Sequence, residues 1–252
     1  MKKYRIVGVM LMLFVFLAAT ALCGCNQEEE AATLTVGTNP GFAPFEFLDE
    51  DNNIVGFDID LAEEIAKQLD MELKIENMDF DGLISAVSTG MIDLAIAGIT
   101  ITELRLQSVN FSDPYFDAGQ VIVVREDEER IAGPDDLADK KVAAQLGTTG
   151  ADQLDELNIP EANQLQLEEV TDVFMQLKQK GVDAVVIDEP VAQRYLELQE
   201  GLKIVGDKFT DEVFGIAIAK DNEELLEKVN EALKEIRNSG KYDELFTKWF
   251  LE

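Results

Sequence analysis

From residue 33 onward, short apolar runs alternate with stretches whose apolar positions recur at helical spacing, the pattern of strand–helix–strand units on a largely parallel sheet. Leu34-Thr35-Val36-Gly37 reads as a strand. Asp58 is placed to cap a helix in which Ile59, Ala62, Ile65, Ala66 and Leu69 share one face. Leu73-Lys74-Ile75 predicts a strand, 83–87 a helix and 92–97 a buried strand. After another strand at 120–124 the cycle restarts, with a helical turn at 134–138, a strand at 141–144, helices from about 151 and over 170–180, and a strand at 182–187. An apolar run at 214–219 and a helix at 223–238, with Leu225, Val229, Ala232, Leu233 and Ile236 on one face, close the chain. The expected class is α/β in two units. No low-complexity tract or short-period repeat interrupts them.

Residues before 33 follow a different rule. Lys2, Lys3 and Arg5 precede an apolar run from 6 to 22, broken only by Gly8 and Thr20. A basic start followed by a short apolar core is the form of a secretory signal, and the run falls short of the roughly twenty residues that span a bilayer. Leu22-Cys23-Gly24-Cys25 resembles the bacterial lipobox, with Cys25 and not Cys23 in the lipidated frame. The expected division is therefore a lipoprotein signal peptide over 1–24 and a polar tether over 25–32. The mature protein would be exported and held by lipid at the outer face of the cytoplasmic membrane.

Composition narrows the chemistry. With 51 acidic against 21 basic residues the net charge is −30, the wrong sign for drawing in a nucleic-acid backbone. Loss of Lys2, Lys3 and Arg5 with the signal would make it −33. There is no histidine, which removes the usual general base and metal ligand, so neither a metal nor a cofactor is expected. The two cysteines lie too close together to staple a fold. No phosphate-binding glycine loop, G-x-S-x-G or H-E-x-x-H occurs.

Three groups of motifs then become specific together. The first is Val36-Gly37-Thr38-Asn39-Pro40-Gly41-Phe42-Ala43-Pro44-Phe45-Glu46-Phe47 with Val55-Gly56-Phe57-Asp58-Ile59-Asp60-Leu61. The second is Asp79-Phe80-Asp81-Gly82-Leu83-Ile84, Ala97-Gly98-Ile99-Thr100-Ile101-Thr102-Glu103-Leu104-Arg105 and Phe111-Ser112-Asp113-Pro114-Tyr115. The third is Asp183-Ala184-Val185-Val186-Ile187-Asp188-Glu189-Pro190. The ordered set resembles the polar amino-acid binding proteins of bacterial ABC importers. That resemblance implies a type II periplasmic-binding-protein fold, in which two α/β lobes joined by two crossing strands close over a free amino acid. Lobe 1 would be discontinuous, 33–117 plus 212–252, and lobe 2 would be 118–211. The implied partner is an ABC permease in the cytoplasmic membrane, and the implied state a monomer.

A zwitterion leaving water needs compensation at both ends. For the carboxylate the resemblance points to Arg105, whose planar fork binds two oxygens, with the amides of Thr100 and Thr149. Gly147-Thr148-Thr149-Gly150 lies between a strand and a helix, where amides face an anion. On residues alone, a surface ion pair with Glu103 or a nearby acid is the commoner role for such an arginine, and the surrounding motif reverses that order. For the ammonium it points to Asp188, the Gly98 carbonyl and the Thr100 hydroxyl; the plainer alternative for Asp188 is a helix cap before Glu189-Pro190. Phe42 and Phe80 match the aromatic pair that sandwiches the ligand side chain, although core packing is the commoner fate of phenylalanine. Asn39 and Gln145 would set specificity. Two neutral amides suit glutamine first, and arginine second by stacking between the aromatic rings. The competing readings are an enzyme resembling cyclohexadienyl dehydratases, for which no general acid beyond Asp188 stands out, and a sensor domain, for which a second membrane segment would follow Glu252.

Overall fold

The computed structural model describes residues 32–251. The expected signal peptide, the expected lipidation site Cys25 and all of the expected tether but Ala32 lie outside the described residues. None of the described helices is long and apolar enough to cross a membrane.

Two five-stranded sheets organise the chain. The strands, in chain order, are β1 (Thr33–Thr38), β2 (Phe47–Leu48), β3 (Ile54–Val55), β4 (Glu72–Asn77), β5 (Leu94–Ala95), β6 (Val109–Phe111), β7 (Phe116–Ala118), β8 (Gln120–Arg125), β9 (Val142–Gln145), β10 (Gln164–Leu167), β11 (Ala184–Asp188), β12 (Leu202–Val205), β13 (Glu212–Phe214) and β14 (Ala217–Ala219). The helices are α1 (Phe57–Gln68), α2 (Phe80–Ser88), α3 (Thr149–Glu156), α4 (Val170–Lys178), α5 (Glu189–Leu198), α6 (Glu223–Asn238) and α7 (Lys241–Phe250). The first sheet runs β4-β1-β5-β14-β6 and the second β10-β9-β11-β8-β12. This is a two-lobed type II fold.

Each sheet contains one antiparallel intruder. β14 is antiparallel to both β5 and β6, and β8 to both β11 and β12. Both follow directly on the pair that joins the lobes, β7 and β13, which run antiparallel with Phe116 opposite Phe214. The expectation of a largely parallel sheet therefore holds for the strand–helix–strand portions and fails where the chain changes lobe. For the same reason the apolar run at 214–219 is not one strand: Gly215 and Ile216 separate β13 from β14, which belong to different sheets.

Aromatic packing braces this junction. Phe45, fully buried, lies with its ring centroid 4.9 Å from Phe116, 5.2 Å from Phe214 and 5.3 Å from Phe250, all edge-on. Phe250 belongs to α7, a helix that the sequence pattern did not predict. Gly240, at a left-handed φ of 81°, separates it from α6.

Asp58 does not cap α1. Gly56 is the capping residue, with φ 141° and its amide plane against Phe45, where any Cβ would meet the Phe45 carbonyl oxygen at 2.0 Å. Asp58 lies one residue inside α1, on the same face as Leu61, Ala62 and Ile65, and is completely buried.

Candidate functional site

Most of the buried polar side chains among the described residues, Asn39, Asp58, Thr100, Gln120, Gln145, Thr148, Thr149 and Asp188, sit at or behind the facing ends of the two sheets. Burial of so many polar groups is costly unless each has a partner or a task.

On the first lobe the site is built up from Asp58. Its Oδ2 accepts from the Gly98 amide and the Tyr115 hydroxyl, both at 2.8 Å. Gly98 is held at φ 53°, and a Cβ there would come within 2.7 Å of the Phe42 ring, so glycine is required twice over. Behind Asp58 lies Glu46, also fully buried. Burial first, then the neighbouring charge of Asp58, pushes the Glu46 carboxyl well above the usual range, and burial raises Asp58 to about 6. Both shifts favour the neutral acids, and neither Glu46 oxygen nor Asp58 Oδ1 has a hydrogen-bond partner among the described residues. Asp58 fixes the turn that presents Gly98 and Thr100.

Arg105 opens a single 3₁₀ turn, and its amide is caught by the Thr102 hydroxyl at 3.2 Å. Its guanidinium donates to the Thr100 carbonyl at 2.7 Å and, across to the second lobe, to the Gly147 carbonyl at 2.9 Å. Its Cζ stands 5.5 Å from the Phe80 ring centroid. Burial lowers the guanidinium pKa, and the charges of Asp152, Glu212 and Asp188 work in the opposite direction. Phe80 is thus half-buried beneath Arg105, whereas Phe42 is buried against Gly98 and joins the main core.

The second lobe contributes two helix starts. Thr148 caps α3 by accepting from the Ala151 amide, which leaves Thr149 as the first helical residue. The Thr149 hydroxyl accepts from Gln120 Nε2 at 3.2 Å and lies 3.4 Å from the Thr100 hydroxyl of the other lobe. Asp188 ends β11 at the capping position of α5, yet its side chain makes no capping bond. Its carboxyl is buried, and its Oδ1 has no hydrogen-bond partner among the described residues. Burial, then the charge of Glu212, raises it to about 7, against the lowering effects of Gln120 and Arg105.

Asn39 and Gln145 meet directly across the lobes. Gln145 Nε2 donates to Asn39 Oδ1 at 2.7 Å and to the Glu168 carbonyl at 2.8 Å, and Asn39 Nδ2 donates to the Met78 carbonyl at 3.1 Å. The Tyr195 hydroxyl adds a further tie, to the Gly41 carbonyl at 3.0 Å. The structure therefore gathers Arg105, Thr100, Thr149, Gly98, Asp188, Asn39, Gln145, Phe42 and Phe80 along one seam. Glu46, Gln120 and Glu212 join them without having been singled out in the sequence. A usable clue existed for Asp58, an acid on the apolar stripe of its helix, and for Gln120, a polar residue leading an apolar strand.

A family model described as "Bacterial extracellular solute-binding proteins, family 3" matches residues 34–252. The chain belongs to this family. Among family-3 relatives, the arginine-binding extracellular protein ArtP of Bacillus subtilis (strain 168) is 34% identical over 99% of this chain and 98% of its own length. A solved ancestral arginine-binding protein bound to glutamine shares 47% identity with a TM-score of 0.84, covering 88% of this chain and 99% of that one. The same type of ancestral protein bound to arginine shares 45% with a TM-score of 0.83, covering 88% and 99%. Relatives of this family-3 chain are named as binding proteins, and it is a binding protein, not an enzyme.

Proposed function

We propose that this family-3 protein captures a free polar L-amino acid outside the cytoplasm and delivers it to the permease of an ABC importer, with L-arginine as the preferred ligand. The observation that carries the reading is Asp188. A buried carboxylate at a helix capping position, making no capping bond and facing Glu212 and Arg105, calls for a cation, and a ligand α-ammonium would supply it. Arg105, with the Thr100 and Thr149 amides, would take the α-carboxylate. Gly98 O and the Thr100 hydroxyl would complete the ammonium site, while Asn39, Phe42, Phe80 and Gln145 would meet the side chain. Closure would occur about β7 and β13, between lobe 1 (33–117 plus 212–252) and lobe 2 (118–211).

The amide network favours arginine over glutamine. Both hydrogens of Gln145 Nε2 and one of Asn39 Nδ2 are already donated to protein oxygens, so the pair offers mainly acceptor capacity. A glutamine carboxamide needs donors for its oxygen, whereas a guanidinium is all donors. Close by, the Glu169 carboxyl is raised by burial and by the charges of Asp79, Asp172 and Glu168, a like-charge cluster that a cationic side chain would relieve. Glutamine remains the second reading, because its amide nitrogen would satisfy the same acceptors, and ancestral arginine-binding proteins solved with glutamine and with arginine support that pairing.

A thermal-shift screen of the twenty amino acids tests this. A ligand at a hundred times its dissociation constant adds about 2.7 kcal/mol of stability. Arginine is expected to give the largest shift and glutamine the next; a largest shift from aspartate or glutamate would overturn the reading. The reading also includes a lipid anchor at Cys25. Cys25→Ala is expected to release the exported protein from membranes on fractionation, and unchanged membrane association would remove the anchor from the proposal.

A further inference from the structure

The carboxylate of Glu212, at the start of β13, accepts hydrogen bonds from the hydroxyls of both lobes: Thr100 Oγ1 and Thr149 Oγ1 each donate to its Oε2 at 2.7 Å. We propose that Glu212 is a specificity-determining positioning residue that consumes the hydroxyl protons of Thr100 and Thr149, so that both oxygens meet the ligand as acceptors and the site selects an α-ammonium group. The inference rests on the reading of the cleft as an amino-acid site.

The chemistry is a count of protons. A threonine hydroxyl has one hydrogen and two lone pairs, and a carboxylate can only accept. With both hydrogens committed to Glu212, Thr100 retains two acceptor positions. Thr149 retains one, since the other receives Gln120 Nε2. Neither hydroxyl is then free to donate to a ligand carboxylate, which is left to the Arg105 guanidinium and to backbone amides. The arrangement is fixed by the protein itself. Glu212 Oε1 accepts from the Thr210 hydroxyl at 2.8 Å, and Thr210 Oγ1 in turn accepts from the Gln120 amide at 2.7 Å. Glu212 is paired in register with Ala118 of β7, so the carboxylate is anchored where the two lobes join. It also places a second negative charge beside Asp188, which further favours a cationic group there.

The test compares wild type with Glu212→Gln for two probes, L-arginine and its des-amino analogue, which keeps the carboxylate and guanidinium but lacks the α-ammonium. Calorimetry, with competition for the weaker probe, gives the affinity ratio. Removing the charge should weaken L-arginine about tenfold or more, as expected for a charge-assisted contact, and leave the analogue unchanged, so the ratio falls by the same factor. Thr210→Val, which frees Oε1 while keeping the charge, should move the ratio in the same direction by less, and it carries the test if Glu212→Gln does not fold. An equal loss for both probes would mark Glu212 as a merely structural hinge residue and overturn the inference, as would no loss for either. Wild-type protein that binds neither L-arginine nor L-glutamine would instead overturn the amino-acid reading itself.

Discussion

Arg105→Ala is expected to weaken amino-acid binding by about a hundredfold, or about 2.8 kcal/mol. Loss of one partner from a desolvated charge pair costs about 3–5 kcal/mol, and the half-buried position of Arg105 argues for the lower end. The guanidinium also bonds the Thr100 and Gly147 carbonyls, so the substitution removes a cross-lobe tie together with the carboxylate contact. A cycle separates the two effects. In wild type, replacing L-arginine by agmatine, which lacks the carboxylate, should cost about as much as the mutation. In Arg105→Ala the same ligand change should cost little more. If agmatine and arginine differ as much in the mutant as in wild type, Arg105 does not hold the carboxylate and serves closure alone. Arg105→Lys keeps the charge without the fork and is expected to fall between the two.

How legible this was in the sequence depends on the kind of residue. Strands such as β8 and β11 carry continuous apolar runs, and their burial on both faces makes them readable without tertiary knowledge. The direction of β8 and β14 was not readable, because it depends on which sheet the chain enters after the crossing, and periodicity carries no direction. Helix ends were displaced where the cap was not a side chain: α1 begins at a glycine packed on Phe45, and the acid two residues later, resembling a cap, had been drawn inward. In the site, Arg105, Asp188 and Thr149 were picked out through motif resemblance, which names positions but not their supports. Glu46, Gln120 and Glu212 act through other residues, and their importance arises from contacts between segments distant in sequence, as between Glu212 and Thr100. The preference between ligands changed for a similar reason. Two amides in a sequence can donate or accept, and only their mutual hydrogen bond shows how much donor capacity is already used.

Ligand binding is expected to weaken as pH falls through about 7, and Asp188→Asn is expected to abolish both that dependence and most of the affinity. The Asp188 carboxyl is raised from its ordinary range to about 7 by burial and then by Glu212. An α-ammonium binds the ionised form, so below pH 7 a proton must leave as the ligand enters. Each further pH unit then costs up to about tenfold in affinity. The ligand's positive charge depresses the carboxyl pKa in the complex, so the decline ends where the bound form itself protonates. Calorimetry in buffers of different ionisation enthalpy should register close to one proton released near pH 6 and almost none near pH 8, above which the ligand's own α-amino group begins to take up a proton on binding. Stability of the free protein should move the opposite way. The folded pKa of Asp188 lies above its unfolded value, so folding favours the protonated acid, and this contribution is fully present below the unfolded pKa and is lost as pH rises through about 7. Asp58, raised to about 6, and Glu46, raised by burial beside it, act with the same sign. The melting temperature of ligand-free protein should therefore increase as pH is lowered from 8 towards 5, while the increment produced by ligand shrinks. In Asp188→Asn the ligand-free protein should lose part of that acid stabilisation but keep the share due to the Glu46–Asp58 pair. A mutant that stays folded and binds with wild-type affinity at every pH would show that the ammonium is held elsewhere.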